Sequence, residues 1–363
     1  MERKSKNVRR RGDDLQSETR SDGAGTEALR PTAMTIARQL GVSKSTISRA
    51  LNDDASISEL VRNRVKALAR EIGYRPNAIA RSLVTRQSGV IALIIGDSHN
   101  PFYPEQLDRL LVLLRRKNFQ LMLFQVPSGG DVVDVFPTLF QYQLDACMIA
   151  SVTMSSQADR ILADHQMPTV LINRVPRDSH GCAVLCNNAA GGREVARRLL
   201  ATGAKKIAFI AGPDEASTSL ERETGFVTCL RQSGVHLHAR VPRHYTFEGG
   251  FAAGLSLLQL PERPDAIFAA NDIMAIGAVD AMRTRKIRVP EEMQIAGFDN
   301  IRAAGWPAYD LTTFAQPMDL LLERAIELIQ ERIAGKKQSE AVSVNGELVV
   351  RGSTKPAQSP HHA

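Results

Sequence analysis

GVSKSTISRALN, residues 41–52, reads as a tight turn followed by a short helix. Gly41 supplies the turn. Ser43 is placed to cap a helix from Lys44 to Leu51, with Ile47, Ala50 and Leu51 on its apolar side. Lys44, Ser45, Ser48 and Arg49 leave the outer face polar. Upstream, Thr32 is placed to cap a helix that turns Ile36, Ala37 and Leu40 inward. Downstream, Ser58 caps a third helix, where Val61, Val65, Leu68, Ala69 and Ile72 form one apolar stripe and Gly73 ends it. Three short helices thus share one small core. A small residue in the first helix, a turn glycine and a second helix polar on its outside are what a helix-turn-helix needs. Such a second helix sets its N-terminal side chains against base edges in the major groove. A three-helix domain with a merely solvated face meets the same spacing.

Charge is concentrated at the same end. The 363-residue chain has a net charge of +7. Residues 1–90 carry 18 of its 46 Lys and Arg but only 10 of its 39 Asp and Glu, which leaves 28 basic against 29 acidic groups in the remainder. That asymmetry is expected where one end meets a polyanion, although a basic solvated tail would produce it too. Residues 1–30 hold almost no large apolar side chains and read as a disordered arm. Its Arg9-Arg10-Arg11 run is either solvated or in contact with phosphate.

Residues 75–88, RPNAIARSLVTRQS, read as a linker with a helical centre of at most about two turns, too short to hold its shape unaided. From Val90 the pattern alternates. VIALII (90–95), FQLMLFQV (119–126), DACMIA (145–150), PTVLI (168–172), KIAFIAG (206–212), DAIFAA (265–270) and MQIAGF (293–298) read as strands, with amphipathic helices between them. Continuous apolar strands separated by helices imply parallel sheets covered on both faces. There are too many for one sheet, and a second series starts near Lys205. The fold class is therefore a small all-α helix-turn-helix head plus an α/β core of two similar parallel-sheet subdomains. Ligands of such sheets bind beyond the carboxyl ends of the strands, here the cleft between the halves. The expected boundaries are an arm at 1–30, the head at 31–74, the hinge and linker at 75–88, the core at 89–352 and a flexible tail at 353–363. Within the core, the first subdomain takes about 89–187 plus 317–340, and the second about 188–316 plus 341–352.

Several chemistries are disfavoured. No run of ~18 apolar residues is present, so no transmembrane helix is expected. The basic, polar start does not read as a secretory signal, and the cytoplasm is the expected compartment. Cys182 and Cys186 are spaced CxxxC with no second pair or His cluster, so the 4 cysteines are expected to be structural and no metal site is expected. Neither GxGxxG after a strand nor GxxxxGK[ST] occurs, and no Ser-His-Asp set stands out, so no catalytic residues and no cofactor are expected.

With GVSKSTISRALN, the motifs IGYRPNAIARSL (72–83), STSLERETGF (217–226), ANDIMAIGA (270–278), GFDN (297–300) and LTTFAQP (311–317) follow in order. Together they make residues 31–352 resemble the LacI/GalR family of bacterial regulators. The resemblance implies a homodimer on pseudo-palindromic operator DNA, and a periplasmic-binding-protein-like core that takes a small-molecule effector. It implies that Lys44 and Ser45 read bases, and that Thr46, Ser48, Arg49 and Asn52 support base or phosphate contacts. Thr32 matches a first-helix cap that also approaches phosphate. Asn77, Ala80 and Leu83 match the hinge-helix face that enters the minor groove, with Leu83 as an apolar wedge; burial of Leu83 against the core is the plain alternative. In one departure, Thr35 stands where the family usually has Asp, which predicts a differently capped or docked first helix.

On residues alone, Asp272 in AANDIM is open between a helix N-cap and a ligand contact; the resemblance implies the ligand. It further implies effector roles for Arg222, Asn173, Thr218 and Tyr245, for Phe102 and Tyr103 on the first-subdomain side, and for Gln316 at the crossover. Asn173 stands at a position that is often Asp in sugar-responsive members, and Tyr245 at an aromatic that lies flat against the ligand. These groups suit a sugar or sugar acid, and would also serve a carboxylate or a purine. A solute-binding protein for transport and an α/β sugar-metabolising enzyme are the competing classes. The basic head argues against the first, and the missing phosphate loop against the second.

Overall fold

The computed structural model describes residues 31–75, 82, 87–96, 100–127, 130–150, 155–173, 181–214, 216–336 and 340–358. The arm at 1–30 and the hinge positions Asn77, Ala80 and Leu83 lie outside the described residues. The chain divides into two compact units, Met1–Ala78 and Ile79–Ala363.

In the first unit, α1 (Ala33–Leu40), α2 (Lys44–Leu51) and α3 (Glu59–Glu71) surround buried Ile36, Ala37, Ile47, Ala50, Val65 and Ala69. The departure at Thr35 is resolved by a capping box built from two threonines. Thr35 N–H donates to Thr32 Oγ1 at 3.3 Å, and Thr32 N–H donates to Thr35 Oγ1 at 3.2 Å. Both amides at the start of α1 are satisfied without an acidic residue. Gly41 ends α1 at φ 66, with no atom near the place of a missing Cβ, so its role is conformational. Ser43 then caps α2 by accepting the Thr46 N–H at 3.1 Å. Arg62 secures the following loop by donating to the carbonyls of Asp54 and Ile57 at 2.9 and 3.0 Å.

In the second unit the chain lays down β1 (Val90–Ile95), α4 (Phe102–Arg116), β2 (Gln120–Gln125), a short helix α5 (Phe136–Leu139), β3 (Ala146–Ala150), α6 (Ser156–Asp164), β4 (Thr169–Ile172) and β5 (Cys182–Cys186). It then crosses to α7 (Asn188–Ala201), β6 (Ile207–Ala211), α8 (Ser217–Gln232), β7 (Ala239–Pro242), α9 (Phe247–Leu258), β8 (Ala266–Ala269), α10 (Asp272–Thr284), β9 (Gln294–Asp299) and β10 (Thr312–Ala315). The long helix α11 (Met318–Ile333) returns to β11 (Ala341–Val344), and a last crossing leads to β12 (Glu347–Val349). Among the described residues these strands form two six-stranded sheets, ordered β11-β5-β4-β3-β1-β2 and β12-β10-β9-β8-β6-β7. Every pairing is parallel except β10 with β12. The central strands β3, β6, β8 and β9 are buried along their whole length, as sheets covered on both faces require.

Two expected boundaries change. Residues 341–344 belong to the first sheet, because β11 pairs with β5 from Ala341 opposite Ala183 to Val344 opposite Cys186; only β12 joins the second. The tail is also anchored through Gln358. Ser353 and Thr354 are buried, Ser353 Oγ donates to the Ile295 carbonyl at 2.6 Å, and the Gln358 N–H reaches the Ala201 carbonyl at 2.8 Å. Backbone groups at the start of β9 and the end of α7 supply partners that composition alone does not reveal.

Helices α7 and α8 touch backbone to backbone. A Cβ on Gly192 would meet the carbonyl oxygen of Arg222, and one on Gly225 the carbonyl oxygen of Ala189. Overpacking typically costs about 1–3 kcal/mol, and here the obstacle is rigid backbone. Gly225→Ala is therefore expected to lower the melting temperature of the core and to shift α8 with the side chains it carries. Thermal unfolding followed by circular dichroism checks this; an unchanged melting temperature would contradict the close packing.

Candidate functional site

The first unit presents a polar face built on α2. Lys44, Ser45, Ser48, Arg49 and Asn52 are exposed, as is Thr32 at the start of α1, while Thr46 is half-buried. The Ser43 hydroxyl lies 2.7 Å from Ser45 Oγ and 2.9 Å from Thr46 Oγ1. The first turn of α2 contains no acidic side chain, and Lys44 opens it. The positive end of the helix dipole, a lysine and a cluster of hydroxyls therefore share one end, an arrangement suited to phosphate and base oxygens.

In the second unit, the loops that follow the parallel strands converge on a small cavity. Asn100, Phe102 and Tyr103 reach it from the loop after β1 and the start of α4, and Asn173 from the end of β4. Thr218 and Arg222 come from α8, Tyr245 from the β7–α9 loop, Asn271 from the end of β8, Asp299 from the end of β9 and Gln316 from the crossover after β10. The cavity thus lies where parallel sheets place ligands, beyond their carboxyl ends.

Arg222 organises this space. Its side chain is 5% exposed. Nε donates to Asn188 Oδ1 at 2.9 Å, Nη1 donates to the Ala270 carbonyl at 2.6 Å, and Nη1 lies 3.5 Å from Asp299 Oδ1. The guanidinium sits 3.7 Å above the Phe298 ring. Asp299 also accepts from Gln316 Nε2 at 2.7 Å and from the Asn100 side chain. Burial pushes its carboxyl above the ordinary range, against the pull of Arg222 and these donors. Phe102 and Tyr103 meet edge to face at 5.4 Å, and the Thr218 and Tyr245 hydroxyls lie 3.3 Å apart. The Tyr245 ring rests on Gly212, where any Cβ would strike it. Asn173 adopts φ 68 and Asp299 φ 119, backbone values that side-chain-bearing residues seldom take.

Most of the side chains singled out from the sequence for an effector line this cavity: Phe102, Tyr103, Asn173, Thr218, Arg222, Tyr245 and Gln316. Asp272 does not, and its assignment as a ligand contact is corrected. It is fully buried in the first turn of α10, where Oδ2 accepts the Ile301 N–H at 2.9 Å and Oδ1 accepts the Thr313 hydroxyl at 2.6 Å. Its neighbour Asn271 reaches the cavity and caps α10 by accepting the Met274 N–H at 3.2 Å. The carboxylate on the wall belongs to Asp299. Asp299, Asn271 and Asn100 were missed, although each directly follows or ends an apolar strand or its loop, and that position was the available signal. All 4 cysteines are unpaired and buried, and burial raises the Cys186 thiol to about 12. Among the described residues no cluster of His, Cys, Asp and Glu is arranged to hold a metal.

Comparison with known proteins agrees at both ends of the chain. The profile for bacterial regulatory proteins of the lacI family matches residues 34–77, and that for a periplasmic binding protein-like domain matches residues 196–354. The ribose operon repressor of Escherichia coli (strain K12) is 30% identical over 323 residues, covering 88% of this chain and 98% of the relative. Among solved structures, a transcriptional regulator CelR–cellobiose complex superposes with a TM-score of 0.67 at 28% identity, covering 89% of this chain and 100% of the other. The lac repressor dimer bound to operator and the anti-inducer ONPF superposes with a TM-score of 0.80 at 23% identity, covering 89% and 99%.

Asp272 carries a pH signature. Burial, reinforced by the nearby Asp299 charge, pushes its carboxyl up to about 7 from an ordinary 3.8. Between those values the folded protein holds a proton that the unfolded chain has released, so stability falls as pH rises through the window. Asp272→Asn mimics the protonated form. The melting temperature of the wild type relative to this variant is therefore expected to drop between pH 4 and pH 8, as read by calorimetry. A difference that stays constant with pH would mean that Asp272 is ionised throughout.

Proposed function

This chain belongs to the lacI family of bacterial regulatory proteins and is a DNA-binding transcriptional regulator, not an enzyme, and from that premise we propose how it works. It represses transcription in the bacterial cytoplasm as a homodimer on a pseudo-palindromic operator, and its grip is set by a sugar or sugar acid held in the cavity between the two sheets. The observation that carries this reading is the cavity wall. Arg222, Asp299, Asn173 and Asn271 converge with the aromatic faces of Phe102 and Tyr245, a mixture suited to a small polyhydroxylated ring. The names of relatives support it: one represses a ribose operon, and another was solved with cellobiose.

In this reading α2 enters the major groove. Lys44 and Ser45 read base edges, while Thr32, Thr46, Ser48, Arg49 and Asn52 hold phosphates or support the readers. Asn77, Ala80 and Leu83 pack in the minor groove with their counterparts from the second copy. Dimer contact falls on an apolar strip of the first sheet. Leu111 and Val112 are exposed on α4, and Leu123 is exposed on the edge strand β2. Leu123 shares strand parity with Leu121, which packs into the core on the α4 side. An apolar patch of this kind is covered by its own copy about a two-fold axis. The related fold of the lac repressor, named as a dimer on operator, supports that occupant.

The allosteric route follows from who touches the ligand. Phe102 and Asn173 belong to the first sheet, and Arg222, Tyr245 and Asn271 to the second, so a ligand that bridges them favours one closure of the cleft. Gln316 ties Asp299 to the crossover strand. The first sheet in turn holds the chain that leads from the head: Ser82 Oγ donates to Gln143 Oε1 at 3.1 Å, and the Ser88 and Gly89 N–H groups donate to the Asp145 carboxylate at 2.7 and 2.8 Å.

The recognition assignment is tested by selecting operator sequences from a randomised pool. A Lys44→Ala/Ser45→Ala double variant is expected to change the preferred bases, each lost contact removing about 1–3 kcal/mol of discrimination. Identical preferences in wild type and variant would remove these positions from base reading. For the wild type, the log of affinity should fall with the log of salt by roughly 0.9 per phosphate neutralised. A Leu111→Asp/Val112→Asp variant should sediment as a folded monomer and lose operator affinity; one that stays dimeric places the interface elsewhere.

A further inference from the structure

We propose that Asp53, in the loop after α2, is a positioning residue for operator recognition: it closes a charged clasp between the end of the recognition helix and α3, and so fixes how Arg49 and Asn52 meet the DNA backbone. This role presupposes that α2 is the helix that enters the groove, and goes beyond that reading. The charge pattern is unexpected for a DNA-binding head. Asp53 and Asp54 directly follow Asn52, the C-cap of α2. Residues 31–75 carry 8 Lys and Arg against 4 Asp and Glu, and half of those acidic groups stand beside positions expected to hold phosphate. Carboxylates placed there repel a polyanion. Phosphate binding alone would select against them.

The geometry of the loop accounts for both. Asp54 stays within it: Oδ1 accepts the Ser56 N–H at 2.8 Å and the Ser56 hydroxyl at 2.7 Å. Asp53 reaches out of it. Its Oδ1 accepts from Lys66 Nζ at 2.5 Å and lies 3.7 Å from Arg62 Nε. Arg62 Nε is buried without a hydrogen-bond partner and has the Asp53 carboxylate beside it. Nη2 of the same guanidinium donates to the Asp54 and Ile57 carbonyls. Asp53 sits at φ 57, a left-handed value that side-chain-bearing residues seldom take. Its neighbour Asp54 ties the loop back to α2 by donating its N–H to the Arg49 carbonyl at 3.0 Å. The clasp thus runs from the last turn of α2, through Asp53, to Arg62 and Lys66 on α3. Lys66 holds the Asp53 carboxyl below its ordinary range, so the clasp stays charged at neutral pH. Little else fixes that end of α2. The head's core has 6 buried apolar side chains, of which α2 contributes Ile47 and Ala50, and Leu51 is half-buried. A core that small leaves the tilt of a two-turn helix to polar contacts. Exposed ion pairs add little to stability, so the clasp acts on where α2 points rather than on whether the head folds.

The test sets charge against geometry. Removing a negative charge beside phosphate tightens binding to any DNA, whereas opening the clasp weakens binding to the operator alone. Asp53→Asn keeps the size of the side chain, and Asn accepts a left-handed backbone. The full-length protein and this variant are titrated at one salt concentration with two duplexes of equal length: the one that the wild type selects from a randomised pool, and a random sequence. Affinity for the selected duplex is expected to fall about 3- to 10-fold, while affinity for the random one stays level or rises. Lys66→Met is expected to cost less in the Asp53→Asn background than in the wild type, since the clasp is already open. Binding of the selected duplex by Asp53→Asn at wild-type strength or tighter overturns the proposal, as does strict additivity with Lys66→Met. An equal loss on both duplexes, with helix lost by circular dichroism, makes Asp53 a residue of fold stability and overturns it too. Failure of the underlying reading shows differently: a Lys44→Ala/Ser45→Ala variant then selects the same bases as the wild type.

Discussion

A guanidinium cannot shed its charge, so a buried one dictates its surroundings. Arg222 is 4% exposed, and the rest of the cavity is arranged around it. Its position requires α7 and α8 to approach within backbone contact, which is why Gly192 and Gly225 face carbonyls rather than side chains. Its donors require an amide on α7, a carbonyl after β8 and a carboxylate at the end of β9, and these are Asn188, Ala270 and Asp299. Its flat face requires an aromatic ring, which Phe298 supplies one residue before Asp299. One charge thereby brings three segments far apart in sequence to a common point, and Gln316 on the crossover is held to the same carboxylate. Asp272 has the complementary role, a layer deeper. It binds the Ile301 amide and the Thr313 hydroxyl, and so sets the loop that carries Asp299.

How far the fold was legible follows from what each element buries. Strands β1, β3, β6, β8 and β9 lie in sheet interiors and read as apolar runs. Strands β7, β11 and β12 did not, because they lie at sheet edges where only alternate residues meet the core; β7 even ends on Pro242. Strand β10 was missed although buried, since TTFA fills its interior with threonines that find partners. Thr312 binds the Arg351 carbonyl at 3.0 Å, and Thr313 binds Asp272. Patterning sees apolarity, whereas a satisfied hydroxyl behaves as core only once its partner is known. The caps of α1, α2 and α3 were readable because Thr32, Ser43 and Ser58 act on amides three residues away, within reach of local sequence.

The site follows the same division. The residues that the family resemblance pointed to, Phe102, Tyr103, Asn173, Thr218, Arg222, Tyr245 and Gln316, line the cavity, whereas Asn100, Asn271 and Asp299, at or after the carboxyl ends of strands, were missed. Asn271 and Asp272 are adjacent at such an end, and there the distinction depended on helix geometry. The N-cap residue Asn271 sits outside the first turn with extended backbone and faces the cavity. Asp272 is already helical and turns toward β10. One position on a helix amounts to a rotation of about 100°, enough to exchange a ligand contact for a structural one.

The division of charge between the units completes the physical picture. Nearly all the excess positive charge lies in the first quarter of the sequence, while the remainder is close to neutral. A polyanion therefore attracts the head by long-range forces that salt screens, whereas the cavity relies on short, buried contacts that salt hardly reaches. Two ligands of opposite character can thus be held by one chain without competing for the same groups. In the proposed reading, communication between them runs through the closure of two sheets and the segments that cross between them. Three crossings join the sheets, at α7, at α11 and between β11 and β12, and a tail fastened at Ser353 locks the second sheet as a body. Rigid halves with few connections concentrate any ligand-driven change at those crossings, where Gln316 already holds one wall of the cavity.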